Sequence, residues 1–208
     1  MTIHRIRLLG DPVLRTRCER VANPRSPAAR MVAHDLKETL ADVRARTSAG
    51  RGIAAPQIGA PIRVIYLEVD KPWPMFNPEI VDVGTEDFLV WDDCFSFPDL
   101  MVQVQRAYRI RVQYMDSAGD EQVVDAEGPL AELLQHEIDH LDGVLAVDRA
   151  AGLDPFCLRE EWNRQYGEDR RYGEPFSRSE TGPHPVARTR YRSPRESLRH
   201  LLRPVSSA

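Results

Sequence analysis

Two histidines one helical turn apart, with a carboxylate beside the first, stand at His136-Glu137-x-x-His140. At i, i+4 spacing both rings leave the same face of a helix and can close on one metal ion. Glu137 between them is placed to handle the proton of a metal-bound water. Two imidazoles do not complete a site, because a catalytic divalent metal takes three protein ligands and keeps one position open. The third must be a Cys, His, Asp or Glu at a bend between elements, where its side chain can be aimed at the helix. Cys94 is the better choice. It lies in Asp92-Asp93-Cys94-Phe95-Ser96, an irregular stretch between strand patterns, and its acidic neighbours are not those of a buried structural cysteine. A bound cation would keep its thiolate stable at neutral pH. Glu160, Glu161 and Glu168, in an acidic helix-like segment downstream, are weaker alternatives of the kind a zinc protease would use.

The elements that must position these residues follow from period and punctuation. Gly128-Pro129 opens the metal helix, with proline at a favoured first-turn position. At about 100° per residue, Leu130, Leu134, Ile138, Leu141 and Leu145 form one stripe, and Leu133, His136, Glu137 and His140 an adjacent face. Glu132, Gln135 and Asp139 are expected opposite the core. Upstream, Asp11-Pro12 marks a turn in an arm laid over the core, and Ser26-Pro27 starts a helix through about Arg46. Gly50 to Gly59 reads as a glycine-punctuated loop whose backbone something approaches closely. Strands are expected at Ile62–Val69, Phe76–Val81, Val102–Val104, Tyr108–Tyr114 and Gln122–Asp125, with a proline-rich turn at Lys71–Pro74 and a hairpin turn at Asp116–Gly119.

Three of these stretches, in this order, resemble the peptide deformylase family. Its Gly-x-Gly-x-Ala-Ala-x-Gln is matched by Gly50-Arg-Gly52-Ile-Ala54-Ala55-Pro-Gln57, and its Gln-His-Glu-x-Asp-His by Gln135-His136-Glu137-Ile-Asp139-His140. The family's Asn-Pro-Glu-Ile strand stands at Asn77 to Ile80 and its Asp-Pro-x-Leu-Arg arm at Asp11 to Arg15. The middle motif, Glu-Gly-Cys-Leu-Ser, departs as Asp92-Asp93-Cys94-Phe95-Ser96.

The resemblance implies an α+β fold of antiparallel strands packed around a central helix that carries the HExxH motif. It implies that Cys94, His136 and His140 bind one divalent metal, typically Fe2+ in this family, with Zn2+ or Ni2+ as substitutes. Glu137 would take the proton of a water attacking a formyl carbonyl and pass it to the leaving amine. The Gln57 amide and the Phe95 backbone N–H would meet the developing oxyanion. Backbone around Gly50, Gly52 and Ile53, with Asp92 and Asp93, would bind substrate in extended form, like an added strand. At 93 a glycine gives way to a carboxylate, which adds bulk and negative charge beside the site. Two substrates stay open: a formyl-methionyl peptide, with transient ribosome association, or a specialised small N-formyl compound. A zinc endopeptidase would leave Cys94 and the Gly50–Gln57 loop unexplained, and a non-catalytic ribosome-binding protein would not need Glu137 or Gln57.

Bulk composition narrows the remaining classes. With 208 residues, 42% hydrophobic and 29% charged, the chain has the makings of one ordinary globular domain. No apolar run is long enough to cross a membrane, and the first residues lack the apolar stretch of a secretory signal, so a cytoplasmic location is expected. Three cysteines do not make a disulfide framework; Cys18 and Cys157 read as small buried hydrophobes. The domain is expected to span residues 1–173, followed by a basic Arg/Ser/Pro-rich tail, 174–208, too poor in large apolar residues to fold. From Pro175 onward seven arginines face two glutamates, which leaves −9 of the net −4 charge on the body and argues against DNA binding by it. Within the tail, Ser193–Arg203 reads as a short basic amphipathic helix; His184, His200 and the earlier His34 read as uninvolved.

Overall fold

A computed structural model describes residues 2–166 and 171–178. The expectations for Glu168, His184, His200, the Ser193–Arg203 helix and all of the tail beyond 178 lie outside these residues. Among the described residues nine strands form two sheets, and every strand pair is antiparallel. The first has the order β1-β2-β3-β6-β7, from β1 (Gly52–Ala54), β2 (Val64–Glu68), β3 (Pro72–Val83), β6 (Arg109–Met115) and β7 (Glu121–Glu127). The second has the order β8-β5-β4-β9, from β4 (Glu86–Asp93), β5 (Leu100–Ala107), β8 (Phe156–Leu158) and β9 (Phe176–Ser177). Helices α1 (Pro27–Thr47), α2 (Gly128–Leu141) and α3 (Arg159–Gln165) complete a mixed fold of helices and antiparallel sheets.

Helix α1 begins where the sequence puts it. The Ser26 side chain accepts from the Ala29 N–H at 3.3 Å, Pro27 takes the first turn, and Ser48 closes the helix in the left-handed conformation. Leu36, Leu40 and Val43 bury its apolar stripe against β1 and β2. Helix α2 packs on strands of both sheets, including β1, β5 and β7. Its Leu134, Ile138 and Leu141 share a buried cluster with Ile65, Leu67 and Met75. Such a layer of apolar side chains is what fixes the angle and depth of the helix.

Several expectations change. The proline-rich turn at Lys71–Pro74 is the start of β3, with Pro72 and Pro74 facing Glu68 and Tyr66. Prolines are tolerated there because β6 joins β3 only from Phe76 onward, so this end has one neighbour and one free edge. Strand β4, which alternation did not mark, carries Asp92 and Asp93 to its last positions and leaves Cys94 just past its end. Leu145 is not part of α2, which stops at Leu141; it is buried from the turn that follows. Finally, Glu132 and Asp139 do not point away from the core: they are 1% and 7% exposed, each held by arginine. Helical geometry accounts for both, since Glu132 lies four residues before His136 and Asp139 three after it, on the same side of the helix.

The boundary expected at 173 falls inside a paired segment. β9 extends the second sheet along β4, and Arg178 binds Asp87 with its Nη2 2.6 Å from Oδ1.

Candidate metal centre and active site

Helix α2 presents His136, Glu137 and His140 from one buried face, at 6%, 3% and 1% exposure. Cys94 meets them from the bend after β4, its Sγ 3.2 Å from His140 Nε2. One ligand atom from each of Cys94, His136 and His140 lies within 4.8 Å of the others. A cation bound tetrahedrally at about 2.3 Å from sulfur and about 2.0 Å from nitrogen would separate those donors by about 3.5 Å. The sulfur, two imidazoles and their spacing therefore suit a single divalent ion, and one thiolate with two histidines leaves a position open for water or substrate.

His136 is oriented from behind. Its Nδ1 lies 2.9 Å from Asp92 Oδ1, which leaves Nε2 facing the site. Asp92 in turn accepts from Arg106 Nη2 at 2.9 Å, and Arg106 also binds Asp139. Asp139 completes the chain by accepting from Arg149 Nε at 2.5 Å. Burial alone would raise the Asp92 carboxyl, but His136 and Arg106 beside it hold it well below the usual carboxylate range. Burial opposes charge on His136, yet Asp92 and Cys94 raise that ring well above the usual imidazole value. Burial and the neighbouring His136 push His140 well below it. Asp92 is thus a support for His136. At 1% exposure it is not among the residues that line the cleft, where the substrate-binding expectation had put it.

Glu137 is the isolated acid of the site. Its Oε2 is buried without a hydrogen-bond partner among the described residues. Burial pushes its pKa up to about 7, helped by the carboxylates of Glu132 and Asp92 and opposed by His136. Room for this side chain depends on Gly52 in edge strand β1. A Cβ built at 52 would stand 2.7 Å from Glu137 Oε1 and 2.7 Å from Leu67 Cδ2, closer than a side chain can sit. Gly50, at φ +117°, is open to few other residues, and a Cβ there would run into the Phe95 ring. Close approach to this loop thus comes from within the protein.

Gln57 follows β1 in a 3-10 turn and is 1% exposed. Its Oε1 accepts from the Ala54 N–H at 2.9 Å, which fixes the amide so that Nε2 points at Cys94 Sγ (3.4 Å) and Ser96 Oγ (3.3 Å). Phe95 and Gly50 line the cleft, whereas the Ile53 side chain is fully buried in the core beneath it. Asp93 lines the cleft too, but its charge is not loose beside the site: it accepts from Arg159 Nη2 at 2.8 Å and from Arg171. Burial would raise its carboxyl, and those two guanidinium groups instead hold it below the usual range.

Sequence reading missed the residues that act through others: Arg51, Arg106, Glu132, Asp139 and Arg171. Arg51 Nη2 binds Glu132 Oε2 at 2.6 Å at the cleft. Glu132 was within reach of the helical rule that paired the histidines; the arginines had no local signal, because their partners lie 14 to 81 positions away. Cys18 is buried, as expected, and burial pushes its pKa up to about 11. Cys157 is half-buried rather than buried.

Comparison with known proteins agrees over the same region. The family model described as polypeptide deformylase matches residues 3–156. The peptide deformylase of Natranaerobius thermophilus is 38% identical over 152 residues, covering 72% of this chain and 94% of that protein. That of Rhizobium meliloti is 42% identical over 157 residues, covering 71% and 85%. Among solved structures, the peptide deformylase of Thermotoga maritima superposes with a TM-score of 0.68 at 34% identity, over 73% of this chain and 100% of its own. One from Synechococcus elongatus, in complex with actinonin, gives 0.66 at 31% identity, over 80% and 84%. The chain belongs to the polypeptide deformylase family.

Proposed function

We propose that this enzyme removes the N-formyl group from peptides by hydrolysis, releasing formate and a free amine. The observation that carries the proposal is the buried cluster of Cys94, His136 and His140 beside Glu137, in a chain of the deformylase family. Cys94 Sγ, His136 Nε2 and His140 Nε2 would hold one divalent metal, ferrous iron in our reading, with zinc or nickel able to replace it. When bound, such an ion supplies Lewis acidity, polarising a carbonyl and lowering the pKa of water.

The chain's own groups divide the remaining work. Glu137, with a pKa near 7, can both accept and return a proton at neutral pH. Its Oε2 takes a proton from the water that attacks the formyl carbon and delivers it to the amine nitrogen as the C–N bond breaks. Gln57 Nε2, held by its own Oε1 on Ala54, donates to the oxygen that gains charge, joined by the Phe95 N–H. β1 is an edge strand, so its free side can pair with an extended peptide at Gly52 and Ile53. We take α2 as the central element, because it carries two ligands and the proton carrier on one rigid face.

No described helix is long and apolar enough to cross a membrane. A formylated peptide places the enzyme in the cytoplasm, in transient contact with ribosomes. A small N-formyl compound is the second reading of the substrate, favoured by Asp93 and by the ion pairs that line the cleft. The test is anaerobic purification, metal analysis and an assay of formate release from formyl-methionyl peptides and small N-formyl amines. Formate release that disappears with Glu137→Ala supports the proposal; release from none of them contradicts it.

A further inference from the structure

The match to the family stops at residue 156, but the described chain goes on and returns to the cleft. Helix α3 anchors the continuation through Trp162, fully buried against Trp91 and Met101. Residues 171–178 then run along the edge of β4 that β5 leaves free. The Trp91 N–H donates to Arg171 O at 2.9 Å, the Gly173 N–H donates to Leu89 O at 2.8 Å, and Phe176 pairs with Asp87. The Tyr172 ring stacks on Phe88, with centroids 6.3 Å apart at 14°, and its hydroxyl lies 3.4 Å from Glu132 Oε2.

Arg171 is where this segment meets the cleft. Its guanidinium is held on Asp93, the residue that stands where the family motif has glycine. The other cation on Asp93, Arg159, also comes from beyond residue 156. The unusual carboxylate and the added segment are therefore one structural unit. Glycine at 93 would leave Arg171 without this anchor at the cleft wall, and Asp93 without the segment would be a half-buried acid lacking both guanidinium groups.

This unit changes what the cleft can hold. Across from it, Arg51 reaches Glu132 at 2.6 Å and donates from Nη1 to Pro129 O at 3.0 Å. The cleft is partly open and narrow, with about 90 Å³ of space, against roughly 300–1,000 Å³ for pockets that take drug-sized ligands. An apolar, unbranched side chain such as that of methionine would press on ionised groups and strip their remaining water without offering hydrogen bonds in return. A small or hydroxylated side chain avoids both penalties.

We propose that Asp93 and Arg171 are specificity-determining residues that wall the cleft against a methionine side chain and direct the enzyme to N-formyl compounds with a small or polar group there. This rests on the deformylase reading and chooses between its two substrates. The test compares formyl-Met, formyl-Ala and formyl-Ser tripeptides with metal-loaded wild type, Arg171→Ala and Asp93→Gly, following kcat/KM. Binding of the same peptides to Glu137→Gln is measured by calorimetry, so that recognition is read without turnover. Wild type should favour Ala and Ser over Met by about tenfold or more, in the range that side-chain size commonly commands. Both substitutions should move that ratio toward Met by about tenfold. Asp93→Asn, which keeps the shape and loses the charge, should move it in the same direction, and circular dichroism checks that each variant is folded. A wild type that prefers formyl-Met, or a ratio unmoved in folded Arg171→Ala, overturns the proposal. If no peptide releases formate but Glu137→Gln still binds Ala and Ser peptides more tightly than Met, the deformylase reading fails and the wall stands. Absence of binding to all three overturns both.

Discussion

The cleft has one wall made mainly by packing, with the Arg51–Glu132 ion pair on it, and one made by charge. On the first, α2 and β1 meet through buried apolar side chains, and Gly52 gives Glu137 its place by offering no side chain of its own. On the second, Asp93 and Arg171 meet through an ion pair whose carboxylate is 25% exposed. Packing of the first kind has one solution and resists change by a single methyl group. A partly solvated ion pair is a looser constraint, and exchanging its members alters shape and charge without disturbing a core. The difference suggests where this chain is free to vary: the proton-handling wall lies within the residues matched to the family, whereas the charged wall draws on a segment beyond them.

Each wall can be broken separately. The largest effect is expected from Glu137→Ala, which should lower kcat by about 10²–10⁴-fold, the usual span for a general acid–base group. Metal content should stay at the wild-type level; loss of the ion would mean that Glu137 holds the centre together instead of moving protons. Next comes Arg106→Leu, which leaves Asp92 and Asp139 buried without their shared cation. Removing one partner of such a pair costs about 3–5 kcal/mol, so the urea midpoint should fall steeply. An unchanged midpoint would show that His136 and Arg149 alone satisfy the two carboxylates.

Gly52→Ala tests the packed wall directly, because its methyl must displace Glu137 or Leu67. A catalytic group misplaced by about 1 Å commonly costs about 10²-fold in rate. Full activity in this variant would place Glu137 elsewhere during the reaction. The smallest effect belongs to Arg159→Ala, the more exposed partner of Asp93 at 34% against 14% for Arg171. Its removal should cost no more than about 1 kcal/mol in stability. If it altered stability more than Arg171→Ala does, the order of importance at Asp93 would be reversed.

Local chemistry made the first wall readable from sequence and left the second obscure. His136, Glu137 and His140 share one helix, so their mutual geometry is set by the helical period alone. Gly50 and Gly52 advertised close approach through residue type, and Gln57 entered only through the family motif. The same period would have brought in Glu132, four positions before His136, had its charge not suggested solvent. Strand β4 stayed hidden because Asp87, Asp92 and Asp93 interrupt its apolar alternation, each satisfied by an arginine remote in sequence. Pairings across 14, 66 or 91 positions come from tertiary folding, and no local pattern encodes them. For the same reason Asp93 read as an uncompensated negative charge until Arg159 and Arg171 were seen beside it.

The central claim is that Cys94 joins His136 and His140 around one divalent ion. The direct measurement is metal content of the anaerobically purified wild type and of Cys94→Ala, by elemental analysis of the folded proteins. The account predicts one ion per chain in the wild type and none retained in Cys94→Ala. A folded Cys94→Ala that keeps its full complement of metal would contradict it and move the third ligand to another residue, with Glu132 and Asp92, both clustered around His136, first in line.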